Sequence, residues 1–321
     1  MQLHPEIRAL LDDPSRLQAQ QAAHQAAWEG WRGAPAPRAV FDAFAVFAGG
    51  TPLAAAPALA GLFDGTGKAA GLAAGLVAAC LPTLGAARFG QVPLRHSTTR
   101  AATTILLARE GAAALTLVAL HGAGLALQPP AQSAAFAPAE EWDAVIAGTG
   151  EGRLVERHGA PGLSVHALAL EPGLALGRDA AREALLVDSA RGTLVLLRLQ
   201  RRRLGPAPVR EFSLADGQQV HQSAATARES RQEIAVALLG RMGRTDAVPA
   251  LADLARDGTA GDTLRWQALR ECLALDTLTG FRTLAALACG VDDPLAPAAG
   301  ALRAQLIEHY PVLAGIEPCP A

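Results

Sequence analysis

The residues best able to do chemistry are scattered along the chain. Its eight His stand at 4, 24, 96, 121, 158, 166, 221 and 309, with no two closer than eight residues. A metal needs three or four converging donors, and no short spacing here supplies them. Cys80, Cys272, Cys289 and Cys319 lie too far apart to read as a disulfide framework or a zinc knuckle. Donors must therefore be gathered by the fold. His96 stands in Arg95-His96-Ser-Thr-Thr-Arg100, just before the first predicted strand, and His221 ends the last one. His166 shares a strand face with Ser164 and Leu168, and Arg198 shares one with Leu194 and Leu196, an unusual place for a charge. Strand ends surround the mouth of a β-sandwich, so Arg95, His96, His166, Arg198 and His221 form the candidate ligand site. Arginines there suit a carboxylate or phosphate through paired hydrogen bonds. No catalytic residue and no metal-ligand set is assigned, and no cofactor is expected.

Three motifs fail on inspection. Gly61-Leu-Phe-Asp-Gly-Thr-Gly-Lys68 has its first Gly one residue out of phosphate-loop register, and Ala69 stands where a Ser or Thr would hold magnesium. Gly162-Leu-Ser-Val-His166 lacks the second Gly that a nucleophile elbow needs for its strained turn. Gly148-Thr-Gly-Glu-Gly152 does not follow a strand in a βαβ unit, which speaks against a dinucleotide site.

Composition narrows the classes further. The 321 residues carry 28 basic and 30 acidic side chains, and half of them are apolar, so the chain is neither disordered nor a basic nucleic-acid binder. Gln200-Arg-Arg-Arg203 is a short basic run, but from Arg228 onward nine Arg face twelve Asp and Glu. Nucleic-acid binding rests on many phosphate contacts, which this balance does not supply. The most membrane-like run, Ala69 to Ala87, is dominated by Ala and Gly and contains Pro82, and it reads as a buried helix of a soluble protein. The N-terminus lacks a basic start followed by an apolar core, so no secretory signal is expected, and the expected address is the cytoplasm.

The elements fall into three regions, together an α+β arrangement. Residues 1–90 read as helical, with Trp28 and Trp31 one turn apart and Val40, Phe41, Phe44 and Phe47 on one apolar face. Residues 91–222 read as an antiparallel β-sandwich or barrel. Thr103–Arg109 and Ala113–Leu120 form a predicted hairpin, and Ser164–Leu170 a third strand. Glu183–Val187 and Thr193–Gln200 form a second hairpin across Asp188–Gly192. Asp216-Gly217 turns the chain between Val209–Leu214 and Gln218–His221, and a short helix is expected over Pro138–Ala147. Residues 223–315 read as helix pairs. Adding 33 carries Ala235 to Ala268, Val236 to Leu269, Leu239 to Cys272, Val248 to Phe281, Leu251 to Leu284 and Leu254 to Leu287. Thr226-Ala-Arg-Glu229 has capping-box spacing, and Asp262-Thr263 is placed to cap a later helix.

This last block resembles HEAT repeats, which implies an α-solenoid and a face for a protein partner. Two and a half repeats are fewer than the about three that usually bury enough surface, so its open flank is expected to pack on the β-region. The segment from Leu170 to Val187 resembles the first strand pair of a cupin, where Pro-Gly precedes the metal ligands. Counting from Gly173, the places of the family's paired His hold Asp179 and Ala181. The resemblance therefore implies a cupin-like sheet without its metal. Two functions are expected from this. One is a non-catalytic ligand- or protein-binding module, with a small anionic ligand on the sheet and a protein partner on the repeats. The other is a cupin-like enzyme in which His96, His166 and His221 gather a metal or act as acid and base on a small anionic substrate.

Overall fold

A computed structural model describes residues 7–8, 13, 15–86, 91–158, 162–203, 205, 207–224 and 226–316; His4 and Cys319 lie outside them. The chain forms two compact units, one of residues 1–203 with 212–218, the other of 204–211 with 219–321.

The first unit opens with α1 (Ser15–Gly33), α2 (Pro35–Ala48), α3 (Pro57–Ala60) and α4 (Lys68–Ala86). Pro35 starts α2 at a position whose N–H would have no partner in any case. Val40, Phe41, Phe44 and Phe47 are buried as their spacing predicts, and Phe41 meets Trp28 and Trp31 edge-on at 6.0 and 5.8 Å. His24 is wholly buried and bonds Thr83 Oγ1 at 2.8 Å. The expectation of a buried helix over 69–87 needs correction. Within α4 only Ala69, Leu72, Leu76 and Cys80 are buried, a single stripe, while Val77, Leu81 and Leu84 are exposed. By length and composition alone this helix is long and apolar enough to cross a membrane.

The strands are β1 (His96–Thr98), β2 (Ala102–Glu110), β3 (Ala113–His121), β4 (Ser133–Phe136), β5 (Ala139–Arg157), β6 (Leu163–Leu170), β7 (Ala175–Asp179), β8 (Glu183–Arg202) and β9 (Arg210–Ser213), with the short α5 (Gly122–Leu125) after β3. The main sheet is antiparallel in the order β1-β2-β3-β8-β5-β6, with β7 also on β5. Two expectations are overturned here. Pro138–Ala147 is not a helix: β5 starts at Ala139, because local helix preference is weak beside pairing with β8 from Ala139 to Glu156. Asp188–Gly192 is not a hairpin turn but the middle of β8, paired with Thr149–Glu151 of β5.

What looked like turn residues form a bend. Register shifts lie between Val145 and Ala147, Ala147 and Thr149, and Glu151 and Gly152. Gly148 has φ +77, and a Cβ there would strike the Thr193 carbonyl. Bulges of this kind bend a strand and move its inward positions by one. Odd residues Leu185 and Val187 and even residues Leu194 and Leu196 accordingly meet in one cluster with Val118, Val145 and Leu170. The opposite face, through Leu115, Ala144, Leu197 and Leu199, packs on α1, α2 and α4. A third cluster gathers Ala134, Phe136, Val155, Ala184 and Phe212.

The second unit contains β10 (Gln219–Gln222), α6 (Ala227–Arg241), α7 (Val248–Arg256), α8 (Asp262–Leu275), α9 (Thr277–Ala288) and α10 (Ala296–His309). Thr226 caps α6 by accepting from Glu229 N at 3.0 Å. Asp262 does not cap α8. Gly261 holds the cap position, and Asp262 is the first helical residue, where its charge still suits the helix dipole. Val236 and Leu269, Val248 and Phe281, and Leu251 and Leu284 are all buried in one core, while Ala235 is exposed where Ala268 is buried. Arg265 enters that core with every donor group placed: Nε on Ala255 O at 3.0 Å, Nη1 and Nη2 on Asp293 at 3.1 and 2.6 Å.

Candidate functional site

The densest chemistry lies on the face of the main sheet that carries Leu194 and Leu196. Register sets Asp143 of β5 opposite Arg198 of β8, and Glu141 opposite both Gln200 of β8 and Arg178 of β7. Residues two apart share a face, so Glu141, Asp143, Arg178, Arg198 and Gln200 meet there. Arg198 Nε donates to Asp143 Oδ1 at 2.7 Å and Nη2 to Oδ2 at 3.2 Å. Arg178 Nη1 donates to Asp143 Oδ2 at 2.5 Å and Nη2 to Glu141 Oε2, while Gln200 Nε2 reaches Glu141 Oε1 at 2.7 Å. Asp143 and Arg178 are 3% exposed at the side chain and Glu141 12%, whereas Arg198 keeps 31%. Burial pushes the Asp143 carboxyl up, but Arg198 and then Arg178 outweigh it and hold the group below its ordinary value. Two cations and two carboxylates balance, so this face offers no surplus charge to a ligand. Its physical effect is to pin β7, β5 and β8 in one register.

The two faces divide the polar work cleanly. On the helix side, Arg201 bonds Glu140 Oε2 at 2.7 Å and the carbonyls of Phe47 and Thr51 at 3.0 and 2.8 Å, with its guanidinium 4.2 Å over the Phe47 ring. Sequence reasoning missed Glu141 and Asp143 because it read their stretch as helix, and Arg178 because it weighed that strand pair only for metal ligands at Asp179 and Ala181. The i, i+2 spacing of Glu141 and Asp143 about Trp142 was the available signal.

A polar cleft of about 580 Å³ opens elsewhere in this unit, lined by Glu156, Arg157, His158, Asp179, Arg182 and Glu183. Asp179, the residue at the first expected metal-ligand place, is spent on the β7–β8 turn. Its Oδ1 accepts from Ala181 N at 3.1 Å and pairs with Arg203 at 3.0 Å, and its own N–H goes to Glu183 Oε2 at 3.0 Å. At the cleft rim His158 Nε2 is hydrogen-bonded to Ser164 Oγ at 2.7 Å, and Glu156 Oε2 lies 3.7 Å from the same nitrogen. In a hydrolytic relay the carboxylate orients the other ring nitrogen, so the three groups are neighbours without that geometry.

The sequence-predicted site residues are placed as follows. Arg95 and His96 are exposed at β1, where His96 Nδ1 is 3.2 Å from the carbonyl of Leu94. His166 is exposed on β6, at the other end of the sheet order from β1. Arg198 is in the central network, and His221 is an exposed residue of β10 in the second unit. Among the described residues no three His, Cys, Asp or Glu side chains come together as a metal site. His96 and His166 thus stand on strands at the two ends of the sheet order, and His221 belongs to the other unit.

In the second unit α8, α9, α10 and the turn after them border an apolar groove of about 810 Å³, lined among others by Trp266, Leu273, Phe281, Leu306, Tyr310 and Val312. Tyr310 and Val312 are 60% and 83% exposed.

No protein family and no curated protein matches the chain. Among solved structures it is similar to the DMSP lyase DddQ from Ruegeria pomeroyi DSS-3 at TM-score 0.27 and 18% identity, over 44% of this chain and 68% of that one. It is similar to HutD from Pseudomonas fluorescens SBW25 at TM-score 0.25 and 13% identity, over 35% and 57%. With CapF the TM-score is 0.27 and identity 10%, over 36% of this chain, which spans only 33% of that protein's length. Likeness of this size identifies neither fold nor activity.

Proposed function

We propose that this chain is a non-catalytic binding module, with a cupin-like sheet unit as scaffold and HEAT-like helices as the protein-binding part. The supporting observation is the groove bordered by α8, α9 and α10. It is open, it is lined mainly by apolar and aromatic side chains, and Trp and Tyr at such a groove are the residue types that anchor protein partners. The sheet unit supports the same reading, since its densest charge cluster is internally balanced and its Asp179 serves a turn. For the sheet we further propose a small carboxylate or phosphate at the exposed Arg95 and His96. The address proposed for the protein is the cytoplasm.

Site-specific photo-crosslinking tests the groove. Benzoylphenylalanine at Val312, inside it, should trap a protein of discrete mass in cells, and Leu306→Asp should abolish the adduct. The same probe at Val291, 90% exposed and not among the groove's lining residues, is the control. Equal trapping at both positions overturns the proposal. Citrate and inorganic phosphate melts of the wild type and Arg95→Ala test the sheet: a rise in melting temperature confined to the wild type is expected, and no rise overturns it.

A further inference from the structure

Helix α6 has an outward face unlike the rest of its unit. Arg231, Ile234, Leu238 and Arg241 follow at intervals of three or four residues, and the C-cap Met242 stands four after Leu238, so all five lie on one side of the helix. All five are exposed, Ile234 at 65%, Leu238 at 54% and Met242 at 57%. The acidic residues of the helix turn the other way. Glu229 lies against Gly261, in space that a Cβ would need, and Glu233 is half-buried with its carbonyl accepting from Gln267 Nε2 at 3.3 Å. Arg231 and Arg241 have no carboxylate partner among the described residues, whereas Arg228 is near enough to Asp257 to help hold that carboxyl below its ordinary value. The face thus carries Ile234, Leu238 and Met242 beside two cations about 15 Å apart that have no carboxylate partner among the described residues.

A second relation says what shape of partner fits. Thirty-three residues after Ile234 and Leu238 stand Gln267 and Glu271. Those are residues through which α8 meets α6: Gln267 bonds the Glu233 carbonyl, and the Glu271 carboxylate lies against Gly240. At the equivalent positions, then, α8 is covered by a helix and α6 is not.

We infer that this face of α6 docks an acidic amphipathic helix of a partner protein, with apolar residues on Ile234 and Leu238 and carboxylates about ten residues apart on Arg231 and Arg241. This surface is separate from the α8–α10 groove, and neither proposal depends on the other.

The probe is a fluorescent synthetic peptide about four turns long, Leu-bearing on one side with Glu at both ends of the stripe, measured by anisotropy against the full chain. Binding is expected to weaken at least about tenfold in Leu238→Asp and in the double variant Arg231→Glu, Arg241→Glu, and to weaken in high salt. A charge-reversed peptide with Lys at both ends should bind the double variant better than the wild type. All three positions are exposed, and circular dichroism with thermal melts checks that each variant keeps the wild-type fold. Absence of acidic-peptide binding overturns the inference, as does binding indifferent to the variants. Three further outcomes overturn it: wild-type protein that instead sediments with phosphatidylserine vesicles, self-association lost in Leu238→Asp, or a Leu238→Cys thiol that fails to react with maleimide because the chain already covers it.

Discussion

Asp143 and Arg198 face each other across the β5–β8 ladder, and the guanidinium grips both carboxylate oxygens, at 2.7 and 3.2 Å. Arg178 closes on the same carboxylate from β7, so one buried acid holds two cations on two neighbouring strands. Removing the acid leaves both arginines short of a partner, one of them almost wholly buried. Asp143→Ala should therefore destabilise the first unit by about 3–5 kcal/mol, read as a drop in the denaturant midpoint. A loss under about 1 kcal/mol would mean the network contributes no more than an exposed ion pair.

The same cluster predicts an acid limit. Asp143 is held below the ordinary carboxyl value near about 3.9, so its interaction supports the folded state above that pH and is lost as pH falls through the lower folded value. Asp293 is lowered likewise, chiefly by its hydrogen bonds from Arg265, so the helical unit shares the dependence. Thermal melts should be flat from neutral pH to about 5 and fall steeply below about 4. In Asp143→Asn the fall belonging to the first unit should be shallower, and an unchanged slope would refute the assignment.

Gly280 sits where α9 crosses the end of α8. A Cβ there would lie 2.5 Å from Leu273 Cα and 2.6 Å from Leu273 N, both backbone atoms that cannot move aside alone. Gly280→Ala should cost about 1–3 kcal/mol despite alanine's better helix propensity. A gain in melting temperature would show that the two helices have room to separate.

Ser164 should be inert as a nucleophile. Its hydroxyl is bonded to His158 Nε2, yet Glu156 approaches that same nitrogen, which leaves the imidazole without the orientation a relay needs. A fluorophosphonate probe should leave the protein unlabelled. Labelling at Ser164 that disappears in His158→Gln would make the chain an enzyme and displace the binding-module reading.

Much of this organisation was legible along the chain. Helices precede the strands and follow them as read, Val40, Phe41, Phe44 and Phe47 are buried together, Thr226 caps α6, and Leu251 and Leu284 share one core. These are local regularities: a helical period, a capping spacing and an apolar position depend only on residues a few places apart. The β-region read less well where Gly, Asp and Ser stood in mid-strand. Gly148 and the stretch from Asp188 to Gly192 carry turn chemistry, yet they bend two long paired strands and connect none.

The candidate sites divide on the same line. That Arg198 was an odd charge on an apolar strand face could be read from its neighbours, Leu194 and Leu196. That it is bonded to Asp143 depends on a register between residues 55 positions apart, and pairing partners at that distance leave no trace in local spacing. The scattered His make the point in reverse. Their types suggested convergence, and their spacing held no record of the strand order, in which His96 on β1 and His166 on β6 stand at the two ends. Residue type and short-range period determine which elements form and which face of each is apolar. Only the ladder of backbone hydrogen bonds between strands decides which charges meet, because it alone sets which distant positions stand opposite one another.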